Sequence, residues 1–193
     1  MNKFCCCYPF FHTKMPNTYQ VVDEGYAKKI LQLDGQVEGK WIAVKYELPA
    51  VTSDCIIFSE DGTFVRTVVR GPNTEPKEFA DTYAIPGGFV GIREEPKDAA
   101  IREYKEETGL DASDLQLLTV ATAPYRDSRQ RTYSFVYWGV APMKDAEAED
   151  KEEVSKTEWT RVDDLVSGKI PMAFDHQELL RQAVMEMSKR IAV

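Results

Sequence analysis

The stretch from Pro96 to Gly109, PKDAAIREYKEETG, constrains the fold more than any other part of this chain. Proline fits a first helical position, because the amide it lacks would have no intrahelical partner there. Glycine fits the residue after a helix, where a left-handed backbone is needed. The residues between them are mostly good helix formers, so the spacing predicts a helix over 96–108.

Strand patterns surround that helix. SDCIIF (53–58) and TFVRTVVR (63–70) are joined by Glu60-Asp61-Gly62, a hairpin signal. Residues 83–85 read as a short extended piece running into Pro86-Gly87-Gly88, and GPNTEPKEF (71–79) reads as loop. LQLLTVATA (115–123) and RTYSFVYWGVA (131–141) form a second hairpin, with Thr132, Val136, Trp138 and Val140 on one face. A further strand falls around TEWTRV (157–162), and an amphipathic helix runs from about Asp175 to Arg190, with Leu179, Leu180, Ala183, Val184 and Met187 turned inward. This order predicts an α/β (α+β) fold with a mixed sheet between helices. Upstream, 22–32 suggests a short helix or arm and 40–46 a strand.

In 193 residues, 43% of them hydrophobic, there is material for one core, and the fold is expected to occupy 18–193 as a single domain. Residues 1–17, with the adjacent Cys5, Cys6 and Cys7, are expected to form a disordered leader. Adjacent cysteines lack the spacing of a disulfide framework or a zinc site, so a reducing, cytoplasmic setting follows. No apolar run is long enough to span a membrane. The net charge of −8 repels phosphate backbones and argues against a nucleic-acid partner.

The helix itself is unusual. Glu103, Glu106 and Glu107 stand at i, i+3 and i+4, which puts three carboxylates on one face. They repel one another, and two of them sit at the end of the helix that disfavours acids. A hard divalent cation such as Mg²⁺ would offset both effects. The plain alternative is a solvated face in which Arg102 pairs with Glu106.

The residues before the helix decide between the two. Gly88, five residues, Glu94, seven residues, then REYKEETGL (102–110) resembles the Nudix box of hydrolases that act on nucleoside diphosphates linked to another moiety. Tyr104 departs from it, standing where that family usually has an aliphatic residue, and it is expected to face the core. The resemblance implies an α/β/α sandwich with a loop–helix–loop catalytic segment. It implies that Glu103, Glu106, Glu107 and the Gly88 carbonyl bind Mg²⁺ (or Mn²⁺). Arg102 would orient the acids, while Glu94 and Gly109 would support the loops.

The likeness extends over about 47–180. LPAVTSDCIIF (48–58), Arg70, AIPGGFV (84–90), PYRDSRQR (124–131) and MAFDHQELL (172–180) resemble the ADP-ribose pyrophosphatase branch. That branch implies hydrolysis of ADP-ribose to AMP and ribose 5-phosphate by a homodimer. It also implies a general base from the loop before the last strand, here Glu152 or Glu153, with Glu103 as the alternative. Arg70, Arg126 and Arg129 are expected near phosphates, since guanidinium forks suit phosphate oxygens. Asp175 is expected to cap the last helix and His176 to pack locally. Tyr125 beside Pro124 resembles dinucleoside polyphosphate hydrolases, and sugar nucleotides or modified nucleoside triphosphates stay open as substrates. A non-catalytic ADP-ribose sensor is the rival from another class. The end of the sequence soon after the terminal helix, the acidic charge and the retained carboxylates favour the enzyme.

Overall fold

A computed structural model describes residues 20–21, 43–44, 49–149 and 152–191. The leader, the arm at 22–32 and most of the strand read at 40–46 lie outside these residues. By internal contacts the chain divides into two units, 1–49 with 91–93 and 50–90 with 94–193. In the first, β1 (Gln20–Val21) pairs antiparallel with β2 (Ala43–Val44).

The second unit is organised around β3 (Ala50–Phe58). It runs parallel to β8 (Thr132–Val140) along its whole length, from Ala50 opposite Thr132 to Phe58 opposite Val140. The short β6 (Gly87–Phe89) lies antiparallel to Thr52–Asp54 of β3. β7 (Gln116–Ala121) forms the predicted hairpin with β8. β4 (Phe64–Arg70) leaves the β3 hairpin after the Phe58–Val65 pair and joins β5 (Tyr83–Ala84) and β9 (Val154–Arg161). The seven strands make one mixed sheet.

Alternation along β3 sends neighbouring residues to opposite faces. Ile56 and Phe58 pack with Val136, Trp138, Leu165, Leu179, Leu180, Ala183 and Met187, beneath α2 (Val162–Val166) and α3 (His176–Ile191). Cys55 and Ile57 pack on the other face with Ala100 and Tyr104 of α1 (Pro96–Thr108). Helices therefore cover both faces of the sheet, as the fold class requires. Tyr104 is 1% exposed, so it faces the core as expected.

α1 has the boundaries read from the sequence, with Pro96 at its first position and Gly109 left-handed at φ 69°. The structure adds α2, whose five residues are too few to display a helical period.

Candidate active site

α1 lays its acidic face against the β6 turn. Gly88 is the point of closest approach, because a Cβ there would overlap the Glu103 carboxylate. Glu107 is held one residue earlier, where its Oε2 accepts the Gly87 amide at 2.9 Å. The Gly109 C-cap and Pro96 fix the helix length, and so fix which residues reach the turn.

Arg102 ties the segment together. Its Nη1 donates to Glu103 at 2.7 Å and to Glu106 at 3.0 Å, and its Nη2 reaches the Phe89 carbonyl at 3.1 Å. Glu94 also binds it, and that hydrogen bond, then Glu103, holds the guanidinium firmly charged. Burial pushes the Glu103 carboxyl up, and Glu106 and Glu153 add repulsion against the pull of Arg102. Glu107 is raised further, by burial first and then by Glu103 and Glu153, although the Gly87 amide opposes the shift.

These groups supply hard oxygen donors that repel one another, which is the donor chemistry Mg²⁺ and Mn²⁺ prefer. Among the described residues no three His, Cys, Asp or Glu side chains form a ready-made cation cage. Arg102 instead engages Glu103 and Glu106.

The arginines expected near phosphates separate into two groups. Arg70 and Arg129 come together: both donate to the Glu75 carbonyl, at 2.6 and 3.1 Å, and both lie over the Phe174 ring, at 5.1 and 5.8 Å. Arg129 is braced by Asp127 at 2.8 Å. Burial and the neighbouring Arg129 lower the Arg70 pKa, while Glu107 and Glu153 oppose that shift across the site.

Arg126 is elsewhere. Its side chain is 5% exposed, with Nε and Nη2 on the two Asp175 oxygens at 2.9 and 2.7 Å and Asp54 at 3.8 Å. The Asp175 side chain therefore serves Arg126 rather than the start of α3. Only its carbonyl meets that helix, accepting the Glu178 and Leu179 amides.

Glu152 and Glu153 are both exposed on the turn before β9. The Glu153 carbonyl accepts the Gly71 amide at 2.8 Å, and its carboxylate is close enough to repel Glu103 and Glu107. The local packing expected of His176 is seen in its ring, which meets Phe174 at 5.3 Å, but its Nδ1 accepts the amide of the distant Ile85 at 3.0 Å within the core.

Sequence reasoning missed Phe174. It is held left-handed at φ 53°, and its ring meets Phe79 at 4.6 Å. No period marks such a residue, because it lies in a turn.

The NUDIX domain family matches residues 48–183. The chain belongs to the Nudix family. An ADP-ribose pyrophosphatase of Methanocaldococcus jannaschii is 31% identical to it over 159 residues, covering 81% of this chain and 83% of that protein. The ADPR responsive transcriptional repressor NtrR of Acinetobacter baylyi is 28% identical over 148 residues, 75% of this chain and 57% of the repressor. Among solved structures, the NUDIX domain of Shewanella oneidensis NrtR, complexed with ADP ribose, matches with a TM-score of 0.65 at 23% identity. That match covers 74% of this chain and 90% of the NrtR domain, and it shows the fold alone. A mutT/nudix family protein from Listeria innocua matches with a TM-score of 0.64 at 26% identity, over 76% and 99% of the two chains.

Proposed function

We propose that this Nudix protein hydrolyses the diphosphate of ADP-ribose to AMP and ribose 5-phosphate, or that of a closely related conjugate to a nucleoside monophosphate and a phosphorylated remainder. The observation that carries the reading is the Glu103 carboxylate lodged against Gly88 beside Glu107, with Arg102 fixing Glu106 on the same face. The likeness to the archaeal ADP-ribose pyrophosphatase supports the substrate.

In this reading Glu103, Glu106, Glu107 and the Gly88 carbonyl hold Mg²⁺ or Mn²⁺. A divalent cation bound there neutralises diphosphate oxygens and lowers the pKa of water. Arg70 and Arg129 grip phosphate oxygens by charge-assisted hydrogen bonds. Glu153 accepts the proton of the attacking water as a P–O bond of the diphosphate breaks, leaving one phosphate on each product. Arg102 keeps the acids apart and oriented, and Glu94 keeps Arg102 in place.

A sensor is the second reading, favoured by the likeness to NtrR. The test is a panel of ADP-ribose, dinucleoside polyphosphates, sugar nucleotides and nucleoside triphosphates with Mg²⁺ or Mn²⁺, with products identified by mass. AMP and ribose 5-phosphate support the enzyme. ADP-ribose binding without turnover under either metal supports the sensor. A homodimer and a cytoplasmic location belong to the same proposal, and light scattering at micromolar concentration tests the first. Among the described residues no helix is long and apolar enough to cross a membrane.

A further inference from the structure

Arg66, in the middle of β4, is 1% exposed and heads the fully enclosed side chains by size. Its Nη2 donates to the Ala146 carbonyl at 2.8 Å, its guanidinium lies 5.9 Å from the Trp159 ring, and its Nε has no partner. Asp145 and Glu158 attract it from a distance, and among the described residues no carboxylate bonds it directly. The Tyr104 hydroxyl, within its electrostatic reach, is also buried without a partner. An enclosed cation so poorly matched is a burden on stability. An apolar side chain of similar length would serve packing better, so packing does not explain this arginine.

Its hydrogen bond offers an explanation. The acidic stretch 144–149 has the composition of a solvated loop, yet its backbone is attached at several points. The Trp159 indole donates to the Lys144 carbonyl at 2.9 Å, and the Glu149 amide donates to the Glu106 carbonyl at 2.8 Å. The Glu147 carbonyl fills the space where Gly109 would otherwise carry a Cβ. The stretch is thus fastened to β9, to β4 and to the last turn of α1, which carries Glu106 and Glu107. It also leads into the turn bearing Glu153.

We propose that Arg66 is a positioning residue: through the Ala146 carbonyl it pins 144–149 onto the end of α1 and so sets Glu106, Glu107 and Glu153 relative to one another. The proposal rests on the hydrolase reading for its consequence in rate, but not for the pin itself. Displacements of about 1 Å around a reacting centre lower rates by about a hundredfold, so loss of the pin acts on kcat rather than on binding.

The test compares Arg66→Met and Arg66→Lys with the wild type. Deuterium uptake at 144–149 is measured without substrate or metal, beside thermal unfolding and steady-state kinetics on ADP-ribose. In Arg66→Met the expected results are an unchanged or higher Tm, faster exchange confined to 144–149, and kcat about 10- to 100-fold lower with KM within about threefold. Arg66→Lys, which keeps one donor towards Ala146, recovers part of both. Wild-type exchange at 144–149 in Arg66→Met overturns the proposal, as does an equal change across the whole protein. If Arg66→Met does not fold, Trp159→Phe removes the neighbouring Lys144 bond, keeps an aromatic ring beside Arg66 and must loosen the same stretch. Faster exchange in a chain that hydrolyses nothing leaves the pin standing and rejects the hydrolase.

Discussion

Arg102 and Glu94 meet fork to fork, Nε on Oε1 at 2.8 Å and Nη2 on Oε2 at 3.0 Å, across the turn between β6 and α1. That geometry fixes the guanidinium plane, so the remaining Nη1 points at both Glu103 and Glu106. A point charge at the same place would not do this.

Arg102→Lys keeps the charge and loses the fork. Because Arg102 is about a third exposed, the stability change is expected to stay within about 1 kcal/mol. Turnover is expected to fall about 10- to 100-fold, with a higher concentration of Mg²⁺ needed for half-maximal rate. A metal titration of both proteins checks this. Unchanged metal dependence would mean that the acids orient themselves.

Glu106→Gln conserves volume and removes one of the mutually repelling charges. Its side chain is 45% exposed, so folding is expected to survive or improve slightly. Activity is expected to drop by orders of magnitude at saturating metal. Near-normal turnover would reduce the acidic face to a solvated one.

Glu153 reaches Glu103 and Glu107 electrostatically, and on that ground it is the base proposed above. Glu153→Gln is expected to lower kcat by at least about tenfold, within the usual range for a general base. Glu152→Gln is expected to stay within about twofold. The reverse order in kcat would reassign the role.

Arg126 and Arg70 are expected to fail in different ways. Arg126→Ala takes the guanidinium from Asp175 and leaves Asp54 to the Ser134 hydroxyl, a loss of about 3 kcal/mol visible in denaturant unfolding. Arg70→Ala spares folding and raises KM for ADP-ribose about ten- to a hundredfold, the equivalent of one charge-assisted hydrogen bond. A stable Arg126→Ala protein with a selective KM defect would return that residue to the phosphates.

His176 gives a pH dependence. Burial lowers its pKa below the ordinary value of about 6.5. The unfolded chain therefore takes up this proton first as pH falls. Neutral His176 contributes fully above about pH 6.5, and the contribution is lost as pH drops through its folded value. His176→Asn keeps an acceptor for the Ile85 amide but cannot titrate. Denaturant stability between pH 7 and 5 is expected to fall less steeply in that variant than in the wild type, and parallel slopes would count against the assignment.

The sequence made α1 and its acidic face legible because local rules act there. A proline start, a glycine stop and carboxylates at helical spacing are properties of neighbouring residues. The parallel pairing of β3 with β8 was not legible, because partners such as Cys55 and Tyr137 lie far apart in the chain and meet only through tertiary packing. The same distance hid the arginine fates. Arg126 and Arg129 stand three residues apart in one segment, yet Asp175 draws one inward and Phe174 receives the other. Glu152 and Glu153 could not be told apart in the sequence, because two adjacent glutamates in one turn have the same composition and differ only in their surroundings.

At Gly88 a hydrogen atom stands where any other residue would carry carbon, and the clearance it leaves is filled by the Glu103 carboxylate. No rotamer change at 88 could restore that clearance, because the first carbon of a side chain already overlaps. A larger residue would have to lift the end of the turn or swing Glu103 away from Arg102. The closeness of turn and helix at this corner therefore rests on two residues at once, the missing side chain of Gly88 and the Glu103 carboxylate that Arg102 holds in the space it leaves.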